Sequence, residues 1–273
     1  MKSDNRPVVL VFAGNDPTGG AGIAADIETL VSLGCHPAPV ITALTVQDTV
    51  GVKHYVPVEA GMVIAQARAV LEDMPVAVIK AGMFGSAENV TALAGILHDY
   101  PDIPLVLDPI LTSGRGDPLT DDALVEAMSV LLLPKTTLLT PNTLEVLRLA
   151  PDADNVDAAA QAVLATGCEF VLVTGTHETT PEVVNRLYGD RRLLETFHWE
   201  RLPHSYHGSG CTLAAACAAT LAHDIDMLEA VNEAQDFTWH ALAHGVRLGM
   251  GQHLPDRLYW TREEDDSVDE PLH

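Results

Sequence analysis

The hexapeptide His207-Gly-Ser-Gly-Cys-Thr212 stands directly before an alanine-rich helical segment and gives the strongest chemical signal in the chain. Small residues let the backbone approach a ligand, and the free N–H groups at the start of a helix bind anions with help from the helix dipole. Gly208, Ser209 and Gly210 are therefore candidates for a phosphate-binding cradle. The alternative is a glycine turn followed by Cys211 as a buried hydrophobic residue.

The thiol of Cys211 falls at the amino end of the same predicted helix. Because a helix dipole lowers the pKa of a thiol there, we expect Cys211 to be available as a thiolate near neutral pH. Cys35, Cys168 and Cys217 are predicted to pack in the interior. The four cysteines contain no C-x-x-C pair, so the sequence predicts neither a zinc site nor a disulfide framework.

Oxygen-bearing side chains follow two of the apolar segments. Asp108 ends one of them and precedes Pro109, while Asn142 and Glu145 lie about one turn apart where a helix opens. Such oxygens can hold Mg²⁺ and its waters beside phosphate groups. The alternatives are a turn formed by Asp108, and helix capping by Asn142 with Glu145 at the third helical position.

The first glycine-rich loop, residues 14–22, lacks both the Gly-Lys-Ser/Thr ending of a Walker motif and the dinucleotide-binding spacing. A role in binding nucleotide phosphates is therefore not predicted for it. Its glycines would instead let the loop backbone and Asp26 approach a small organic substrate, and a simple strand-to-helix turn is the alternative.

These candidate residues need a scaffold, and apolar runs that alternate with helical periodicity provide one. The alternation predicts a mostly parallel sheet with helices on both faces, whose ligands bind at the carboxyl ends of the strands. Predicted strands span residues 8–12, 40–44, 76–79, 105–107, 137–139 and 170–173, followed by a hairpin of 183–188 and 193–199. Predicted helices span residues 23–33, 60–71, 87–97, 123–132, 158–165, 211–221 and 227–248.

The chain has 273 residues and a formal net charge of −23 with its histidines neutral. Such a field repels nucleic-acid backbones and anionic membrane surfaces, so neither is expected as a partner. No run reaches the roughly 18 apolar residues needed to cross a bilayer, and residues 1–7 lack the apolar core of a signal peptide. A cytoplasmic protein is predicted, with one domain over residues 1–260 and a solvated acidic tail over 261–273.

Taken together, these stretches resemble the hydroxymethylpyrimidine and phosphomethylpyrimidine kinases of thiamin biosynthesis, in the ribokinase superfamily. The resemblance extends from Ala13 to about Ala243, with its blocks in the family's order. The blocks are residues 13–26 (AGNDPTGGAGIAAD), 40–47 (VITALTVQ), 79–86 (IKAGMFGS), 106–109 (VLDP), 140–145 (TPNTLE) and 207–212 (HGSGCT).

The resemblance implies a three-layer α/β/α ribokinase-like fold and an ATP- and Mg²⁺-dependent kinase. Its substrates would be 4-amino-5-hydroxymethyl-2-methylpyrimidine and then the resulting monophosphate. The relatives are often dimers, so a homodimer is expected by analogy. A pyridoxal kinase on the same fold, or a pyrimidine-binding relative with little or no catalysis, is the alternative.

Carried onto this chain, the resemblance implies a role for each candidate residue. The pyrimidine pocket would be lined by Gly14, Asp26, Gln47, Met83 and Ile110. Asp108 and Glu145 would organise Mg²⁺, and the backbone from Gly208 to Cys211 would stabilise the transferred phosphoryl group. Cys211 would accept the hydroxyl proton in the first step. Nucleotide-binding residues would be Asn142, Arg115, Thr174 and Gly175.

Two departures from the family pattern concern basic groups near the phosphates. Where the family shows Ala-Lys-Ser-Gly-Asp, this chain has Ser113-Gly-Arg-Gly-Asp117, so Arg115 is expected to replace a lysine. Where the family shows Val-Lys-Gly-Gly-His, this chain has Thr174 in place of the lysine. A lost charge-assisted phosphate contact would reduce binding or rate by roughly 1.5–3 kcal/mol.

Overall fold

Alternate side chains of the first strand enter two different cores. Val8, Leu10 and Phe12 pack into one core, while Val9 and Val11 pack into the other on the opposite face of the sheet. A strand that is apolar on both faces is typical of a parallel sheet covered by helices on both sides. The computed structural model describes residues 6–111, 120–178 and 180–262, and the elements below lie within them.

Nine strands form one sheet in the order β3-β2-β1-β4-β5-β6-β7-β8-β9. Pairs from β2 through β7 are parallel, whereas β3, β8 and β9 add antiparallel edges. The strands are β1 (Val8–Asn15), β2 (His36–Asp48), β3 (Gly51–Pro57), β4 (Val76–Ala81), β5 (Leu105–Leu107), β6 (Leu138–Leu139), β7 (Phe170–Val173), β8 (Glu182–Gly189) and β9 (Arg192–Glu200).

Helices cover both faces of this sheet. One face is covered by α2 (Ala60–Asp73), α3 (Ala87–Asp99), α4 (Asp122–Ala127), α5 (Thr143–Leu149) and α6 (Val156–Ala165). The other face is covered by α1 (Gly22–Ser32), α7 (Ser209–Ala222) and α8 (Met227–Ala243). The predicted three-layer α/β/α fold with a mostly parallel sheet is therefore confirmed.

The structure differs from the sequence prediction at two elements. Strand β3 was not predicted, because it is an edge strand in which Lys53 and His54 are exposed and no apolar run marks it. The last predicted helix is too long, because α8 ends at Ala243. Beyond Gly245 the chain instead forms a bridge between Val246 and Leu254.

No helix in the three described ranges combines the length and the apolar composition required to cross a membrane. Arg115 and residues 263–273 of the predicted acidic tail lie outside the described residues. The predicted domain boundary at residue 260 and the cytoplasmic location stay predictions.

Candidate active site

A cavity of about 530 Å³ opens at the carboxyl ends of the parallel strands, beside the amino end of α7. This is the edge at which ligands of open α/β sheets bind. Most of the predicted site residues share it. Those that line the cavity are Gly14, Gln47, Met83, Asp108, Ile110, Asn142, Glu145, Thr174, Gly208, Ser209, Gly210 and Cys211.

The predicted phosphate cradle is formed by the first turn of α7. Gly208 is the N-cap residue and has a φ of 86°, a left-handed conformation that glycine adopts without strain. A Cβ atom at Gly208 would lie 1.9 Å from the carbonyl oxygen of Gly20, so only glycine fits this contact. Because α7 begins at Ser209, the N–H groups from Ser209 to Cys211 have no acceptor within the helix.

Cys211 lies on the cavity wall, but the residue is only 8% exposed. Burial raises its pKa to about 12, although the charge of Lys80 and a hydrogen bond from the backbone of Gly22 act in the opposite direction. The expected lowering of this pKa was therefore wrong. The helix dipole does not compensate for the loss of water around the sulfur.

An ion pair that the sequence analysis did not identify lies below the cradle. Lys80 Nζ is 2.8 Å and 3.0 Å from the two carboxylate oxygens of Asp26, and both side chains are fully buried. Burial acts to lower the pKa of Lys80, but the charge of Asp26 and the hydrogen bond to it outweigh this effect and raise that pKa. Asp26 thus faces the lysine and does not line the cavity. A lysine inside the apolar strand β4 was the sequence signal for this pair.

Asp108 follows β5 and is 5% exposed. Burial, together with the neighbouring carboxylates of Glu145 and Asp26, raises its pKa to about 7, although Lys80 and a hydrogen bond from Cys211 lower it. Its Oδ2 atom has no hydrogen-bond partner among the described residues. A buried carboxylate oxygen without a partner on a cavity wall is a suitable ligand for a hard cation such as Mg²⁺. Asp26, Lys80, Asp108 and Cys211 are called the charged floor below.

Glu145 takes the capping role that the sequence analysis kept as an alternative. Its Oε2 atom accepts the N–H of Asn142 at 3.0 Å, while the Asn142 side chain accepts N–H groups of Leu144 and Glu145. Its Oε1 atom accepts the N–H of Leu111 at 3.1 Å. Both oxygens thus accept backbone N–H groups.

Comparison with known proteins identifies the family. The phosphomethylpyrimidine kinase model matches residues 16–256. A hydroxymethylpyrimidine/phosphomethylpyrimidine kinase of Streptomyces coelicolor is 39% identical over 255 residues, which are 90% of this chain and 92% of that protein. The chain belongs to the phosphomethylpyrimidine kinase family. The family resemblance found in the sequence is therefore confirmed, and with it the assignment as a kinase.

Two solved structures show the same fold. A phosphomethylpyrimidine kinase from Clostridium difficile superposes with a TM-score of 0.75 at 32% identity, covering 85% of this chain and 98% of that one. A pyridoxal kinase from Staphylococcus aureus in complex with AMP-PCP and pyridoxal gives a TM-score of 0.84 at 26% identity, covering 94% and 96%. The ribokinase-like architecture is thus shared with both kinds of kinase.

Thr174 lies on the cavity wall after β7. Its backbone N–H donates to the carbonyl oxygen of Pro141 at 2.9 Å, which joins it to the segment that precedes α5. The adjacent Gly175 does not line the cavity. A Cβ atom there would lie 2.2 Å from the carbonyl oxygen of Val184, so Gly175 allows a close backbone approach.

The cavity wall formed by β8, β9 and α8 was not predicted. Gln235 Oε1 accepts hydrogen bonds from Asn185 Nδ2 at 2.8 Å and from Trp199 Nε1 at 3.0 Å, and all three side chains line the cavity. The amide of Gln235 donates to the carbonyl of Val231, and Asn185 Oδ1 accepts the N–H of Gly175. We call Asn185, Trp199 and Gln235 the neutral wall. No local motif marks it, because its members come from β8, β9 and α8.

Proposed function

We propose that this member of the phosphomethylpyrimidine kinase family transfers the γ-phosphoryl group of ATP to the hydroxymethyl group of 4-amino-5-hydroxymethyl-2-methylpyrimidine, and then to the resulting monophosphate. The observation that carries the proposal is that one cavity is lined by the cradle, by Asp108 with its unpartnered Oδ2 atom, and by four of the five predicted pyrimidine-pocket residues. These four are Gly14, Gln47, Met83 and Ile110. The names of the relatives, and the nucleotide and pyridoxal bound to a structural neighbour, support it.

The pyrimidine would lie between the first loop and β2. Gln47 offers a donor and an acceptor to an aminopyrimidine edge. Met83 packs against Gly14, where a Cβ atom would lie 3.1 Å from the Met83 sulfur, so the glycine leaves room for a flat ring beside the thioether. ATP would occupy the other half, with its phosphates near Asn142 and Thr174 and its base towards the neutral wall.

In the transfer, the hydroxyl oxygen of the acceptor forms a bond to the γ-phosphorus while the bond from that phosphorus to ADP breaks. Backbone N–H groups from Ser209 to Cys211 stabilise the charge of the transferred group. Asp108 directly, and Glu145 through water, would hold Mg²⁺, which when bound would offset the phosphate charges. The acceptor proton would go to the Cys211 thiolate in the first step, and the thiol would release its own proton to water as the substrates bind.

Incubation of the purified protein with MgATP and the hydroxymethylpyrimidine, followed by mass analysis, tests the proposal. Mono- and diphosphate products are expected, and pyridoxal is assayed in parallel. Phosphorylation of pyridoxal alone would establish the alternative, which is favoured by the close superposition on a pyridoxal kinase. Binding of the pyrimidine in calorimetry without any turnover would indicate a non-catalytic relative.

Substitution of Cys211 by alanine tests the proton acceptor. The second acceptor is a phosphate anion, which needs no base, so Cys211→Ala is expected to reduce the first phosphorylation far more than the second. Single-turnover rates of both steps provide the measurement. Equal loss in both steps would remove the proton-acceptor role and leave Cys211 a structural one.

The expected homodimer also belongs to this proposal. Leu44 and Val56 are direct cross-strand partners of β2 and β3, and they are 52% and 53% exposed, as is Val46 at 57%. An apolar surface of this kind supports association with a second copy. Light scattering on the wild type and on Leu44→Glu should show a dimer and a monomer, respectively.

A further inference from the structure

The guanidinium group of Arg257 lies behind the phosphate cradle and contacts three segments of the chain. Its side chain is 1% exposed. Nε donates to Thr212 Oγ1 at 2.9 Å and one terminal nitrogen donates to the carbonyl oxygen of Gly20 at 2.6 Å. The other terminal nitrogen pairs with the partly exposed Glu28 at 2.9 Å. Arg257 does not line the cavity, so it cannot touch the substrates directly.

The hydrogen bonds that Arg257 donates to Thr212 and to Gly20 both hold the first turn of α7 in place. The Thr212 hydroxyl that accepts from Arg257 donates in turn to the carbonyl oxygen of Gly208 at 2.8 Å. The Gly20 carbonyl oxygen that accepts from Arg257 is the atom against which Gly208 packs. One planar guanidinium group therefore fixes both ends of the turn whose N–H groups form the cradle.

A second connection reinforces the same alignment. His207, directly before Gly208, has its Nε2 atom 2.8 Å from Asp16 Oδ2 in the first loop. That carboxylate oxygen also accepts the N–H of Ala21 at 2.9 Å. The first glycine-rich loop and the cradle are thus joined by contacts on both sides of Gly208, through His207 and through Arg257.

We propose that Arg257 is a positioning residue for phosphoryl transfer. It holds the cradle at a fixed distance from the first glycine-rich loop, which contains Gly20. This inference rests on the proposed function, because it concerns the same reaction. Phosphoryl transfer depends mainly on positioning and electrostatics, so a small displacement of the cradle lowers kcat strongly. Binding of either substrate by the rest of the cavity is affected less.

Arg257→Ala is expected to lower kcat by roughly a hundredfold while both KM values change by less than about threefold. Millimolar guanidinium or ethylguanidinium should restore part of the lost kcat, which a merely structural loss would not allow. Arg257→Lys keeps one charge but cannot bridge Gly20 and Thr212, so it should also be impaired. Thr212→Val, which keeps the side-chain shape, removes one of the two contacts and should give a smaller loss of kcat.

Leu30→Ala is the matched control for lost stability, since Leu30 is fully buried in the core between α1 and α7. It should lower the midpoint of urea unfolding without changing kcat per folded molecule. The inference is overturned if Arg257→Ala and Thr212→Val retain the wild-type kcat per folded molecule, or if only the KM for ATP rises. An inactive wild type would instead refute the proposed function, so the two failures can be told apart.

Discussion

The charged floor, through Asp108 and Cys211, and the neutral wall border the same cavity but are built on different principles. In the neutral wall every named side chain has a neutral hydrogen-bond partner within the protein, centred on Gln235. The charged floor buries a full ion pair, and Asp108 Oδ2 has no partner among the described residues. An unsatisfied buried carboxylate oxygen is costly, so its presence indicates a group held ready for a ligand. The neutral wall thus shapes the cavity, whereas the charged floor places ionisable groups at it.

Gly208→Ala is expected to lower kcat more than the other variants below, because it displaces the cradle beside the charged floor. The added Cβ atom would lie 1.9 Å from the Gly20 carbonyl oxygen, so the first turn of α7 must move. Misplacing an N–H group that stabilises transition-state charge costs roughly a hundredfold to a thousandfold in kcat. Steady-state kinetics of the variant measure this effect. A kcat near that of the wild type would show that the cradle is not used.

Lys80→Met, together with a double variant, tests whether the charged floor contributes to the stability of the fold, to activity or to both. Removing one partner of a buried ion pair is expected to cost about 3–5 kcal/mol, because Asp26 keeps an uncompensated charge. The double variant Lys80→Met/Asp26→Leu should regain most of the free energy of unfolding but not the activity. Urea unfolding and turnover of both variants provide the measurements. Recovery of activity in the double variant would show that the floor's charges are only structural.

Asp108 should make stability depend on pH. Its folded-state pKa of about 7 is above the ordinary value of 3.8, so the folded chain holds this proton more tightly than the unfolded chain. The stabilisation is complete below pH 3.8 and is lost as the pH rises through about 7. Asp108→Asn should remove this dependence between about pH 4 and pH 7. The unfolding free energy of both proteins at each pH tests it, and parallel curves would contradict it.

The smallest effect is expected in the neutral wall. Trp199→Phe removes the hydrogen bond to Gln235 Oε1 but keeps an aromatic ring, and Asn185 still donates to that oxygen. A loss of about 1 kcal/mol in stability is expected. The KM for ATP should rise by a few-fold at most, with kcat unchanged. A large fall in kcat would mean that the wall takes part in the chemistry and would break the contrast with the floor.

The predicted strands and helices depended on local patterns, and those patterns were sufficient for most of the sheet. The apolar segments before Asp108 and Gly14 predicted β5 and β1, and the spacing of Asn142 and Glu145 predicted both a cation site and the capping box that the structure shows. Strand β3 was missed because an exposed edge strand carries no apolar run. The roles proposed for the individual site residues stay predictions.

The sequence alone determined the alternation of strands and helices, the family and the glycine-rich turn before α7, because each is written in neighbouring residues. Only the tertiary structure decided that Asp26 faces Lys80, that Arg257 reaches Gly20 and Thr212, and that burial raises the pKa of Cys211. The physical reason is that burial and long-range contacts set the charge state and orientation of these groups. Those factors depend on which distant segments exclude water from each side chain, and no local pattern specifies them.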